Sequence, residues 1–184
     1  MKKIGISILI VLVVILFTSC WTGMEIGWLT INDFIIPDDY EFLILIEKLF
    51  TPFLIAAYMQ NNFEYEYSRY AKTPYQLWKI KKGDCNDFAL FATFVARYHG
   101  YEAYMVRIFF EDQKINQWIG VYWEEIISLY TCTSNQYLLC YVAKDIESLV
   151  NIISKFSDKN WLKYEVYDDM NIVEEKYNLK GTED

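Results

Sequence analysis

One residue stands out for its chemistry. Cys85 follows the chain-breaking run Lys81-Lys82-Gly83-Asp84 and opens a stretch to His99 in which Phe88, Phe91, Ala92 and Val95 recur at helical spacing, with Gly100 as the stop. A thiol reacts as its thiolate, and the unpaired N–H groups and dipole at a helix start favour that negative charge. Lys81 and Lys82 add positive potential. A cysteine there also serves simply as a small apolar residue, so the surrounding residues must decide between the two roles.

A nucleophile needs a base. His99 is the only histidine, and it lies on the same predicted helix, roughly 21 Å from Cys85 at about 1.5 Å per residue. No proton passes over that gap, and His99 reads as a helix C-terminal residue favoured by the dipole. Asp87 falls on a different helical face from Cys85 and reads as a first-turn acid complementing the dipole. Cys132 and Cys140 lie on predicted strands. With a turn at 133–136, Cys132 faces Tyr137 and Cys140 faces Leu129, so the two are out of register and read as buried thiols. One histidine and scattered cysteines cannot assemble a four-ligand zinc site, and there is no glycine-rich phosphate loop, so neither metal nor cofactor is expected.

The elements that must position Cys85 follow from periodicity. Ile36 to Asn61 reads as helical, begun by Pro37-Asp38-Asp39 and broken at Pro52, with a short helix opening at Pro74. The apolar part of that stretch, Phe42 to Met59, carries Glu47 and Lys48 centrally and so belongs in a core, not a bilayer. After Gly100 the period changes to two. Ala103–Phe110, Trp118–Trp123, Ile127–Cys132 and Gln136–Val142 read as strands, Asp145–Phe156 as a helix and Trp161–Tyr167 as a last strand. Helices followed by a mostly antiparallel sheet give an α+β domain. Only the last dozen residues look loose.

The N-terminus adds a location. Lys2 and Lys3 precede an apolar run from Ile4 to Phe17 and then Thr18-Ser19-Cys20. That run is shorter than the roughly 20 residues of a membrane span and fits a secretory leader. Thr-Ser-Cys resembles the lipobox of bacterial lipoproteins, which implies a leader over 1–19, acylation of Cys20 and a single domain over 20–184. An uncleaved anchor extended through Trp21 to Trp28 is the other reading, and both hold the domain at a membrane outside the cytoplasm. Without the leader, 15 basic residues face 25 acidic ones. This balance disfavours nucleic acid and anionic lipid surfaces as partners. The composition, 54% hydrophobic and 18% aromatic, excludes disorder and predicts a ring-rich core or binding face.

Gly83-Asp84-Cys85-Asn86-Asp87-Phe88-Ala89, continued by Phe91, Val95 and Arg97-Tyr98-His99-Gly100, resembles the nucleophile helix of transglutaminase-like proteins, within the papain-like cysteine protease and acyl-transferase superfamily. The lead-in from Pro74 to Lys82, with Trp78 before the cysteine, resembles theirs too, and the likeness spans about Thr73 to Asn135. It implies a papain-like fold in which the thiol pairs with a histidine two strands on, oriented by an Asp or Asn on the next strand. Here the histidine place falls on Gln117, within Ile115-Asn116-Gln117-Trp118. The orienting place falls on Ser134 or Asn135, and Asn135 would serve. Gln117 has no titrating nitrogen and cannot take a proton from a thiol at neutral pH.

Two functions follow from that resemblance. One is a lipid-anchored binding protein with an incomplete triad, its old cleft reused by rings such as Trp78 and Trp118 to hold a protein or peptide ligand. The other is an active thiol hydrolase or acyl transferase, acting through Cys85 on amide bonds of protein or cell-wall peptide.

Overall fold

The computed structural model describes residues 38–111, 116–135, 137–169 and 171–178, with the backbone alone over 137–141. The expected leader over 1–19, Cys20 and the side chain of Cys140 lie outside the described residues. Helix α1 (Tyr40–Lys48) starts at Asp39, whose carboxylate accepts the N–H groups of Glu41 and Phe42. Thr51 caps α2 (Pro52–Asn62), with Pro52 in the first turn, where its missing N–H has no partner to lose. The apolar stretch from Phe42 to Met59 is therefore two helices. Among the described residues no helix is long and apolar enough to cross a membrane.

Strand β1 (Glu64–Tyr65) pairs in parallel with β2 (Lys82–Gly83). Between them α3 (Pro74–Ile80) begins at a reciprocal cap in which Thr73 and Gln76 each satisfy the other's backbone N–H. Lys81 ends it in the left-handed region, at φ 63°. Helix α4 (Cys85–Tyr98) follows at once.

The rest of the chain builds an antiparallel sheet of six strands in the order β6-β5-β4-β3-β7-β8. Its members are β3 (Ala103–Phe110), β4 (Asn116–Glu124), β5 (Leu129–Ser134), β6 (Tyr137–Ala143), β7 (Trp161–Asp168) and β8 (Asn171–Tyr177), with α5 (Ile146–Ser157) between β6 and β7. Strand β8 corrects the expectation of a loose tail, which now begins no earlier than Asn178. Its side chains are all exposed, so no hydrophobic alternation marked it in the sequence.

Three layers result, and the strand period of two assigns each residue to a face. Ala103, Met105, Trp118 and Tyr122 point to the α4 side, where Phe42, Ile46, Ile55, Met59, Phe88, Phe91 and Val95 form the larger core. Val106, Ile108, Phe110, Ile119, Val121 and Cys132 point to the other side, against Leu149, Val150 and Ile153 of α5. Burying one such aliphatic or aromatic side chain contributes roughly 1.5–3 kcal/mol, so the two faces cannot exchange by a one-residue slip. At the β5–β6 hairpin, Cys132 pairs with Tyr141 and Ser134 with Tyr137, across an irregularity in the ladder. The expected pairing of Cys132 with Tyr137 is thus displaced, because the turn is tight and Asn135 takes φ 52° within it.

Asp39 ties α1 to α3. Its carboxylate accepts from Lys79 Nζ at 2.8 Å and from the Tyr75 hydroxyl at 2.7 Å. Lys79, then Tyr75, hold its pKa down at about 2 against an ordinary 3.8. A carboxyl depressed by folding stabilises above its unfolded pKa, and that contribution is lost as pH falls toward about 2. Asp39→Asn is expected to flatten this part of the acid limb, so that its urea midpoint falls less between about pH 5 and pH 2 than the unaltered protein's. Parallel falls in the two proteins would refute the tie.

Candidate active site

The start of α4 is held by two carboxylates. Asp84 caps the helix, accepting the N–H groups of Asn86 at 3.0 Å and Asp87 at 3.4 Å, and Ser68 N–H donates to its other oxygen at 3.3 Å. Asp87 is fully buried and answers with a bond from Asp84 N–H at 3.1 Å. It also accepts Lys72 N–H at 2.6 Å and Lys72 Nζ at 3.1 Å. The loop before α3 is thereby fastened to the first turn of α4. Burial pushes the Asp87 carboxyl above its ordinary range, and the bonds from Lys72 oppose that rise.

Gly83 makes this closeness possible. A Cβ there would stand 2.7 Å from Asp87 Oδ2 and from Leu77 Cδ1, and 2.8 Å from Asp87 Cβ. Glycine is required here for close approach.

The thiol of Cys85 is half-buried at the edge of a small cluster of Ala89, Leu90, Met105 and Trp118, with Tyr167 beside it. The backbone N–H groups of Trp118, Asn86 and Cys85 itself favour its thiolate. Burial outweighs them, and with Asp84 nearby the pKa is raised above that of an ordinary cysteine. The positive potential expected from Lys81 and Lys82 is spent elsewhere. Lys81 Nζ sits on the Tyr58 hydroxyl at 2.8 Å and 5.1 Å from the Trp78 ring, and Lys82 bridges Glu64 and Glu66.

The strand facing the thiol requires a correction by one residue. Trp118, Gly120 and Tyr122 face α4, so Gln117 falls on the α5 face with Ile119 and Val121. There its amide donates to the Ser134 hydroxyl, and Ser134 shares that face with Cys132 two residues before it. By the same alternation the position on the cysteine's side is Asn116, half-buried at the start of β4. The reading from spacing missed it because β4 is buried and apolar on both faces, Trp118 and Tyr122 on one and Ile119 and Val121 on the other, so no polar alternation marks the cysteine's side. Asn135 follows β5 in the turn at φ 52°, beyond the last ladder pair Ile119↔Ser134, so strand alternation assigns it to neither face. Its Oδ1, like that of Asn86, is buried with no hydrogen-bond partner among the described residues.

Trp78 stands away from this constellation. Its ring packs 5.2 Å from Phe42 and 5.6 Å from Tyr75, under the ammonium of Lys79. His99 caps the far end of α4, and its Nε2 meets the Ile46 carbonyl at 2.7 Å.

The sequence reading also overlooked a polar group on the same face of the sheet as Trp118. Arg107 pairs with Trp118 across β3–β4, with its guanidinium 5.4 Å from the Trp118 ring centroid and 4.4 Å from that of Phe109. Glu165 is opposite Arg107 on β7 and buried, accepting from Lys163 Nζ at 2.7 Å and the Tyr167 hydroxyl at 2.5 Å. Burial and Glu165 push the Tyr167 phenol up to about 12. The signal was present: an arginine at an inward position of an otherwise apolar strand needs a partner.

Chemically, then, the arrangement offers a half-buried sulfur favoured as thiolate by backbone N–H groups, with Asn116 and Arg107 on the face of the sheet that carries the buried Trp118 ring. The sequence pattern of the transglutaminase-like superfamily matches residues 48–165. No curated protein matches the chain. Among solved structures, LapG of Legionella pneumophila is similar at 15% identity, covering 68% of this chain and 71% of that one with a TM-score of 0.48. Its calcium-bound form is similar at 14% identity, over 71% and 77%, with a TM-score of 0.46. A candidate cysteine protease from Cytophaga hutchinsonii is similar at 10% identity, over 82% and 58%, with a TM-score of 0.40.

Gly83→Ala is expected to cost about 1–3 kcal/mol, because neither the buried carboxylate nor Leu77 can withdraw without opening the helix start. Denaturant unfolding measures it, and an unchanged midpoint would show that the close approach is not structural.

Proposed function

Because the chain belongs to the transglutaminase-like superfamily, whose pattern covers more than half of it, we propose that it is a surface-anchored protein in which the nucleophile scaffold has lost its base and serves recognition. One observation carries this reading. The sulfur of Cys85 sits where its surroundings favour the neutral thiol, and the strand facing it presents the amide of Asn116. An amide has no proton to take or give near neutral pH, so the step that generates a nucleophile is missing.

The acidic body and the Thr18-Ser19-Cys20 sequence after an apolar run support an exported protein held by lipid on Cys20. The partner this reading favours is a protein or peptide segment, held by the half-buried Tyr167 and Arg107, whereas Trp118, expected to bind, is buried beneath the surface and packs in the core. A ring and a guanidinium supply apolar contact and hydrogen bonding together, residue types enriched in recognition surfaces. The second reading, an active hydrolase or acyl transferase on amide bonds, draws on the three N–H groups directed at the sulfur. They would have to overcome burial without an imidazole.

Alkylation by iodoacetamide across pH decides between the two, with Cys85→Ser subtracted to isolate this thiol from the other cysteines. On the recognition reading the Cys85 rate stays below that of free cysteine at neutral pH and climbs only at higher pH, following the raised pKa. A rate that is already on its plateau below about pH 7 would establish the enzyme instead.

Asn116→His tests the face assignment directly. An imidazole on the cysteine's side is expected to raise the neutral-pH alkylation rate at least about tenfold, whereas Gln117→His, on the far side, leaves it unchanged. The opposite pattern would return position 117 to the site.

A further inference from the structure

The far end of α4 from Cys85 carries a cavity of about 650 Å³ that the reading above does not use. It is lined by the rings of Phe50, Tyr101 and Trp123, by His99 and Gly100 at the helix end, by Glu102 before β3, and by Glu124, Glu125 and Ile126 at the end of β4 and in the turn after it. The volume is that of a small-molecule or side-chain pocket.

Three properties agree on the charge of what fits there. The lining holds three carboxylates and, among the described residues, neither lysine nor arginine. Part of the lining is the C-terminal end of a helix of 14 residues, the negative end of its dipole, although the carbonyls of Val95, Ala96 and Arg97 there already accept N–H groups of His99, Gly100 and Tyr101. The rings present aromatic faces, which also attract cations. Glu102 is occupied by the Tyr104 hydroxyl at 2.6 Å, while burial raises the Glu124 carboxyl with no cation nearby to offset it.

The lining also discriminates between kinds of cation. Among the described residues no three His, Cys, Asp or Glu side chains converge closely enough to hold a metal ion. Carboxylates spread around rings suit a broad, weakly hydrated charge instead, one able to lie against a ring face while its charge meets a carboxylate.

We propose that this cleft binds an organic cation, an ammonium or quaternary ammonium group, between the rings of Tyr101 and Trp123 and the carboxylates of Glu124 and Glu125. The site is independent of Cys85 and of whether the thiol reacts. It gives an acidic protein a way to select a basic side chain or a choline-like head group.

Calorimetric titration of the full chain with tetramethylammonium chloride and, separately, with Nα-acetyl-lysine amide tests it, at constant ionic strength with sodium chloride as the blank. Saturable binding of either probe is expected, and the one that binds more tightly identifies the source as head group or side chain. Glu125→Gln, at an exposed turn position, is expected to weaken it at least about threefold, and Glu124→Gln combined with Trp123→Leu about tenfold or more. Thermal melting checks that the variants fold, and the exposed single variant carries the test if the double one does not. Absence of saturable binding, binding unaffected by Glu125→Gln, or saturable binding of calcium in preference to both probes would overturn the proposal.

Discussion

A single buried carboxylate organises the part of the molecule where chemistry is expected. Asp87 has no access to solvent, and its two oxygens are taken up by Asp84 N–H, Lys72 N–H and the Lys72 ammonium. A charge removed from water is costly unless fully paired, so this one fixes the position of every group that pairs it. The start of α4, the loop before α3 and the approach of Gly83 are set together. Cys85 inherits its place from that arrangement, and so does the distance from its sulfur to the sheet.

The same arrangement explains why the helix start does not make the thiol acidic. Helix N–H groups and a strand N–H all favour the thiolate, yet the cluster of Ala89, Leu90, Met105 and Trp118 excludes water from one side. Desolvation acts on the whole charge, whereas each N–H contributes a partial one. The neighbouring cations cannot redress the balance. Lys72 is committed to Asp87, Lys81 to a ring cluster and Lys82 to two glutamates. Electrostatic potential at a site thus depends on what each charge is already paired with.

Much of this was legible in the sequence, in proportion to how local the cause was. Helix α4 could be read from its own residues: a polar cap, an apolar stripe and a glycine stop. The break before Pro52 and the α+β order were equally local. The face of Gln117 was not, because both faces of β4 are buried, Trp118 and Tyr122 on one and Ile119 and Val121 on the other, and nothing local tells which of them meets α4. Strand β8 was hidden for a related reason, since a strand exposed along its whole length leaves no alternation to read. Lys72 could not be assigned to Asp87 from spacing, as the pair lies 15 positions apart with α3 and β2 folded between them. Arg107 and Glu165 were detectable as polar residues at inward positions, but their meeting required the order of strands.

Strand β8 has a further consequence. It forms one border of the sheet, where backbone groups on its outer side have no neighbouring strand among the described residues, and such borders are templates for pairing between molecules. This one carries Glu174, Glu175 and Lys176 in succession, with Lys163 joined to Glu175 and Lys176 joined to Glu147. Any incoming strand would have to displace those ion pairs or lie beside two adjacent acids. Charged residues along a border strand are a recognised means of discouraging further strand pairing, and this border carries three in a row.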